Sequence, residues 1–308
     1  MRQSIALIIL FAILFVSGFF ISNPFILNVL GISLLTCIIV VGLNILFGFA
    51  GLVSLGHAGF VAIGGYVAAI VSSKFGIHPI FSTIIAALVS AVVAVIVGIP
   101  TLKLKGHYLA MATLAIGEAV YIVANNLVDI TGGHQGFAAI PLLSIGGFSF
   151  DTQKKFYFLI LALSIFFVFV AYSFTSSRFG RALRVVHHSE TAAKSFGINV
   201  ALYRMIAFVI SAVYASVAGS FYAFYLGFIS PSLFDLSTSI NYLIMVYVGG
   251  MGNIFGSIIA ALFLTFLPNI FTSLQEWWVV FDGILLIIMV MFLPKGIGGL
   301  IRWKKNLY

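Results

Sequence analysis

The side chains best able to do chemistry in this sequence are a few acids and histidines set in apolar surroundings. Of seven Asp and Glu residues in 308, only Glu118 and Asp282 fall inside long apolar runs. An ionised carboxylate at mid-membrane costs on the order of 3 kcal/mol, so Glu118 has to face protein or water. It can serve a substrate pathway or proton relay, or stay protonated and bridge two helices through a neighbouring Asn or Thr. Asp282 lies close enough to the end of its run for solvation to explain it. His57, in GLVSLGHAGF, sits near one end of its run, where a hydrogen-bonded packing role and a pathway role are both open. The six histidines show no metal-ligand spacing, and His187-His188 reads as a solvated pair. The single Cys37 lies in an apolar run, which excludes a disulfide framework and a thiolate metal cluster. No G-x-x-x-x-G-K-[ST], H-E-x-x-H or G-x-S-x-G signature occurs. These residue types describe a conduit rather than a catalyst, with no metal or cofactor bound by the chain itself.

The densest polar stretch is SRFGRALRVVHHSETAAKSFGINVALYR, residues 177–204. It carries Arg178, Arg181, Arg184, Lys194 and Arg204. Ser189 can N-cap a short helix, Glu190 falls in the first turn where the dipole favours an anion, and Gly197 can close the C-terminus. Ala192 and Ala193 give that helix little bulk, which suits insertion into a groove on a partner. A second polar stretch, NNLVDITGGHQGF, places Asn125, Asn126, Thr131, Gly132 and Gly133 together. It fits substrate access, partner docking or an ordinary helix C-terminal turn.

The elements that must position these groups follow from composition. The chain is 62% hydrophobic and 7% charged, against roughly 25% charged in a soluble domain, and its mean hydropathy is +1.23. Apolar runs of about 20 residues read as transmembrane helices. The spans fall near 4–22, 25–47, 52–73, 80–100, 107–128, 156–176, 202–228, 239–251, 254–274 and 277–294. This predicts an all-α polytopic membrane protein of about ten helices, or eight to ten if the glycine-crowded 239–274 region forms a re-entrant hairpin. The first run is expected to be retained, because no signal-peptide cleavage site follows it.

With the N-terminus inside, Arg2, Lys103, Lys105, the five basic residues of the polar stretch, Lys295, Arg302, Lys304 and Lys305 lie on the inner side. Only Lys74, Lys154 and Lys155 lie outside. That bias puts both termini and a loop at about 177–201 in the cytoplasm. It also explains the net charge of +8 without nucleic acid. The chain reads as a single transmembrane domain over 1–308. Gly42, Gly48, Gly51, Gly56, Gly59, Gly64 and Gly65 are too dense for an ordinary helix. They suit close helix packing, a broken helix lining a route, or both. Gly252-x-x-x-Gly256 and Ala215-x-x-x-Gly219 offer similar small surfaces.

Four segments together carry a resemblance: SLGHAGFVAIGGYVAAI, the TGGHQG turn, SRFGRALRVVHHSETAAKSFGIN, and YLGFISPSLFDLSTSINYLIMVYVGGMGNIFGSIIAA. In this order they resemble the permease subunits of bacterial branched-chain amino acid ABC transporters, over roughly residues 30 to 300. The resemblance implies a multi-pass protein of the bacterial plasma (inner) membrane. Its implied partners are a second homologous permease, two cytoplasmic ATPases that hold ATP and magnesium, and an extracytoplasmic substrate-binding protein. It also implies that the polar loop is a coupling helix, its motif standing here as Glu190, Ala192, Ala193 and Gly197, with Arg181 beside it. TGGHQG would lie at the outer mouth, and His57, Glu118, Asn125, Thr131, Gly132 and Gly133 are the pathway candidates. Urea or short amides are alternative substrates within this resemblance, and an ion-coupled secondary transporter is the rival class.

Overall fold

A computed structural model describes residues 2–145, 148–270 and 296–301, with isolated helical positions at 280, 283, 284, 287 and 291. The predicted last span at 277–294, and with it Asp282, lies outside the continuously described residues, as do Lys295, Arg302, Lys304 and Lys305.

The chain is built almost wholly of helices: α1 (Arg2–Phe20), α2 (Pro24–Asn44), α3 (His57–Phe75), α4 (Pro79–Thr101), α5 (His107–Asn126), the single turn α6 (Val128–Thr131), α7 (Gln153–Ser176), α8 (Arg178–His188), α9 (Glu190–Ser195), α10 (Val200–Leu226), α11 (Leu236–Gly249), α12 (Ile254–Ile270) and α13 (Gly296–Ile301). A two-residue hairpin, Ser144–Ile145 with Phe148–Ser149, and a bridge between Phe137 and Ile229 are small β features beyond the all-α expectation. Six of these helices, α2, α3, α4, α5, α7 and α10, are long and apolar enough to cross a membrane. Two shorter apolar helices cover Ile5–Phe20 and Ile254–Asn269.

Local chemistry sets the boundaries. Asn23 accepts the Phe25 N–H and Pro24 follows at the first helical position, so α2 starts where the sequence breaks the first run. His78 and Pro79 repeat the device for α4, just after Gly76 closes α3 in the left-handed region. Three helices form the centre. α2 is buried nearly along its whole length, and α10 crosses α3 at backbone contact. A Cβ on Gly64 would strike the Ser216 carbonyl, and one on Gly219 the Val61 carbonyl. Ser220 Oγ donates to Gly64 O at 3.0 Å across that crossing. The small-residue surface at Ala215 and Gly219 thus serves the close approach that lipid-embedded helices need. Outer faces of α1, α4 and α5 stay apolar, with Ile8, Phe20, Leu88, Ile96 and Met111 exposed.

Two predicted spans are drawn differently. The helix placed at 52–73 begins only at His57, because residues 50–56 are unwound after a π turn over Ile45–Phe49, with Gly51 at φ +71°. The span at 239–251 is α11, 14 residues long. At 1.5 Å per residue that is about 21 Å, short of a 30 Å hydrocarbon core. Its approach segment, Pro231–Phe234, packs Phe234 against Tyr66 in the middle of α3 rather than outside the bundle.

Lys105 and the segment 178–204 meet through Glu190. Elsewhere, Lys74 Nζ donates to Asp129 O and Lys154 Nζ to Phe19 O.

Candidate functional site

Two arrangements stand out. The first is a junction inside the bundle where α3 and α11 both start. The unwound 50–56 segment is held by polar contacts rather than by its own helix. Leu55 N–H donates to Thr113 Oγ1 on α5 at 3.0 Å, and Gly56 lies so close to the Thr113 carbonyl that a Cβ there would collide. His57 is fully buried at the first position of α3, its Nδ1 3.0 Å from Ser54 Oγ and its Nε2 2.5 Å from Ser211 Oγ on α10. The imidazole is therefore a strut between the break and α10, the packing option left open by the sequence. The next residue, Ala58, donates its N–H to Ser239 Oγ on α11 at 3.0 Å.

Asp235 caps α11, accepting from Thr238 N–H and Thr238 Oγ1, both at 2.9 Å. A small cavity of about 10 Å³ is lined by Leu55, Leu114, Glu118, Phe234, Asp235 and Ser239. It brings Glu118 beside a second acid, Asp235. Among the described residues Glu118 has no hydrogen-bond or ion-pair partner, so of the two roles left open by the sequence the Asn or Thr bridge is not formed there. The Asp235-x-x-Thr238 spacing, a helix N-cap pattern, was the available signal for where this helix begins.

The second arrangement is the polar loop. Ser189 Oγ accepts the Ala192 N–H at 3.2 Å and starts α9 as expected. Gly197 ends it at φ +72°, with Ile198 N–H reaching back to Ala193 O at 3.0 Å. Glu190 does more than face the helix dipole. Its carboxylate takes a hydrogen bond from Arg204 on α10 at 2.5 Å and lies 3.6 Å from Lys105 Nζ in the α4–α5 loop. The Arg204 hydrogen bond, with the charges of Arg204 and Lys105 behind it, holds the Glu190 carboxyl below the usual carboxylate range, against a partial burial that acts the other way.

Ala193 is buried against Val186 and Val200 and so belongs to the loop's own small core, while Ala192 is half-buried. Arg181 donates from Nη1 to Ser176 O, a carbonyl at the end of α7, at 3.0 Å. The residue presented outward is Phe196, 78% exposed at the tip of the loop. It went unremarked in the sequence, where an aromatic flanked by Ser195 and Gly197 in a polar loop was the available sign.

The third predicted group resolves into a turn. Thr131 Oγ1 donates to Ala124 O at 2.6 Å and accepts from Gly133 N–H at 3.2 Å. Gly132 and Gly133 both occupy the left-handed region, at φ +78° and +59°. Thr131, Gly132 and Gly133 thus shape the α5–α6 end, and Asn126 returns its amide to Ile122 O. Asn125 Oδ1 is buried and has no hydrogen-bond partner among the described residues.

A multi-pass helical protein with a broken-helix junction inside and a capped helix on one end is built as a membrane conduit. Comparison with known proteins gives its family. Residues 25–290 match the family described as branched-chain amino acid transport system / permease component. The high-affinity branched-chain amino acid transport system permease protein LivM of Salmonella typhimurium is 32% identical over 86% of this chain and 68% of its own length. LivM of Escherichia coli matches with the same identity and coverage. The probable branched-chain amino acid transport permease protein LivH of Methanocaldococcus jannaschii is 26% identical over 89% of this chain and 91% of its own. The chain belongs to this permease family.

Proposed function

We propose that this chain is a permease subunit of an ATP-binding cassette importer for branched-chain amino acids, acting by alternating access. In this reading 1–308 form a single permease domain in the bacterial plasma (inner) membrane, with about ten membrane passages, α11 being a partial one, and both termini cytoplasmic. Its partners are a second homologous permease, two cytoplasmic ATPases that carry ATP and magnesium, and an extracytoplasmic binding protein. No nucleic acid is involved. The chain binds no cofactor and is not an enzyme, because the chemical energy is released on other subunits.

The observation that carries this reading is α9 itself, a short helix capped at both ends, ion-paired to α10 and presenting an exposed aromatic. A loop that served topology alone would need none of these. Motion imposed on α9 by an ATPase passes through Glu190 and Arg204 to α10. From α10 it reaches the α3 start through Ser211 and His57, where the substrate junction lies. That junction is closed to about the size of one water here, so passage requires α5 or the α11 start to move. In the open state Glu118 faces the ammonium group, and Leu55, Leu114 and Phe234 face the aliphatic side chain.

The test is ATPase activity of the reconstituted complex with its binding protein loaded with leucine, isoleucine, valine or urea. Stimulation by the three amino acids supports the reading. Stimulation by urea alone would move the substrate to short amides, and no co-purifying ATPase would remove the importer class.

A further inference from the structure

A cavity of about 410 Å³ opens beside α8, at the end of the bundle that carries residues 178–204. Arg184, His187 and His188 line it, with Gly48 and Gly252 at its floor. The Arg184 side chain turns back toward the bundle: Nη2 donates to Thr175 O at 2.8 Å and the guanidinium lies over the Phe49 ring at 5.3 Å. The His187 ring abuts Gly51, and His188 Nδ1 lies 2.8 Å from Arg184 O. Among the described residues no carboxylate neutralises this group. Glu190, the acid nearest in sequence, is engaged by Arg204 and Lys105.

The cavity shares Leu7 and Tyr172 with a second space of about 620 Å³, a groove between α1 and α7. That groove is lined almost wholly by carbon, with Ile8, Phe11, Ala12, Phe15 and Phe169 along it. Its outer lip is open, with Ile8 and Phe169 both 68% exposed. An apolar trough between α1 and α7 thus meets a pocket lined by Arg184, His187 and His188, with no neutralising carboxylate among the described residues.

We propose that this continuous surface is a binding site for an anionic phospholipid. The phosphate lies among Arg184, His187 and His188, and one acyl chain lies in the α1–α7 groove. Cationic pockets between membrane helices suit anionic headgroups, and the groove distinguishes a lipid from a soluble anion, which would have no use for it. Arg184 is already oriented by its Thr175 bond and by Phe49, so little side-chain freedom is lost on binding. The proposal rests on the membrane placement of the chain and is independent of the transported substrate.

The experiment is native mass spectrometry of the purified complex in mild detergent. It is titrated with phosphatidylglycerol, with phosphatidylcholine of the same chains, or with glycerol phosphate. Phosphatidylglycerol should be retained at about fivefold lower concentration than phosphatidylcholine, roughly the effect of one basic side chain at a membrane surface. Arg184→Gln should abolish that preference and Arg184→Lys should keep most of it. Ala12→Trp, which fills the groove at an exposed position far from Arg184, should weaken both lipids. Equal retention of the two lipids, or phosphatidylglycerol binding untouched by Ala12→Trp, would overturn the proposal. Competition by glycerol phosphate as strong as by the lipid would reassign the pocket to a soluble anion, and a partner subunit filling the groove would show as no lipid bound to the complex at all. If Arg184→Gln fails to assemble, Ala12→Trp still decides.

Discussion

Neutralising Glu190 should uncouple ATP hydrolysis from transport without unfolding the permease. The Glu190 and Arg204 side chains are 27% and 16% exposed, and their hydrogen bond is charge-assisted. Such bonds contribute about 1.5–3 kcal/mol, and partial exposure places this one near the low end. Lys105 is 77% exposed and 3.6 Å away, so it adds at most a few tenths of a kcal/mol. Removing the charge in Glu190→Gln therefore shifts the balance between α9 held on α10 and α9 released by about 1.5 kcal/mol, or roughly tenfold. The assay is a double-mutant cycle in proteoliposomes, with Glu190→Gln, Arg204→Gln and the pair. Its readout is substrate imported per ATP hydrolysed. The singles should each lower that ratio several-fold, and the double should be no worse than either. Losses that simply add would show that the two residues act separately, and the link from α9 to α10 would then be wrong. The pH dependence has a definite sign. A carboxyl held low in the folded state stabilises the fold above its unfolded pKa, and that contribution is lost as pH falls through the folded value. The link should persist through neutral pH and fail only in acid, below the usual carboxylate range.

Three further outcomes are expected. Phe196→Ala should leave thermal stability within about 0.5 kcal/mol, as for any exposed position, yet reduce ATPase retention at least tenfold as an interface anchor would; unchanged retention would place the docking surface elsewhere. Gly64→Leu should destabilise by about 1–3 kcal/mol or prevent assembly, read as a fall in detergent melting temperature, because any Cβ there meets the Ser216 backbone. Glu118→Gln should lower uptake with assembly normal, since the carboxylate faces a cavity shared with Asp235; full uptake would reduce it to packing.

The placement of most helices was legible because long apolar runs and Asn-Pro or His-Pro caps are local signals. The α9 helix was legible for the same reason, its Ser189 and Gly197 acting within a few residues. What escaped was set by contacts between distant segments. The unwound 50–56 segment is held by Thr113, 58 positions from its partner Leu55, and the α3 start just after it by Ser239, 181 positions from Ala58. That the helix begun by Asp235 starts against α3 depends on Phe234 packing on Tyr66, which nothing local shows. The direction of Glu190 likewise depended on Arg204, 14 residues on, after a turn whose geometry brings α9 back onto α10. Ala193 reads as an exposed small residue until the fold of α8 against α9 buries it.

The most direct test of the whole account is uptake of labelled leucine into proteoliposomes holding this permease with its partner subunits and binding protein. The account predicts accumulation that needs ATP and an intact ATPase and is indifferent to ionophores that collapse proton and sodium gradients. Uptake that persists without ATP and collapses with those ionophores would contradict it and make the junction around Glu118 an ion-coupled site.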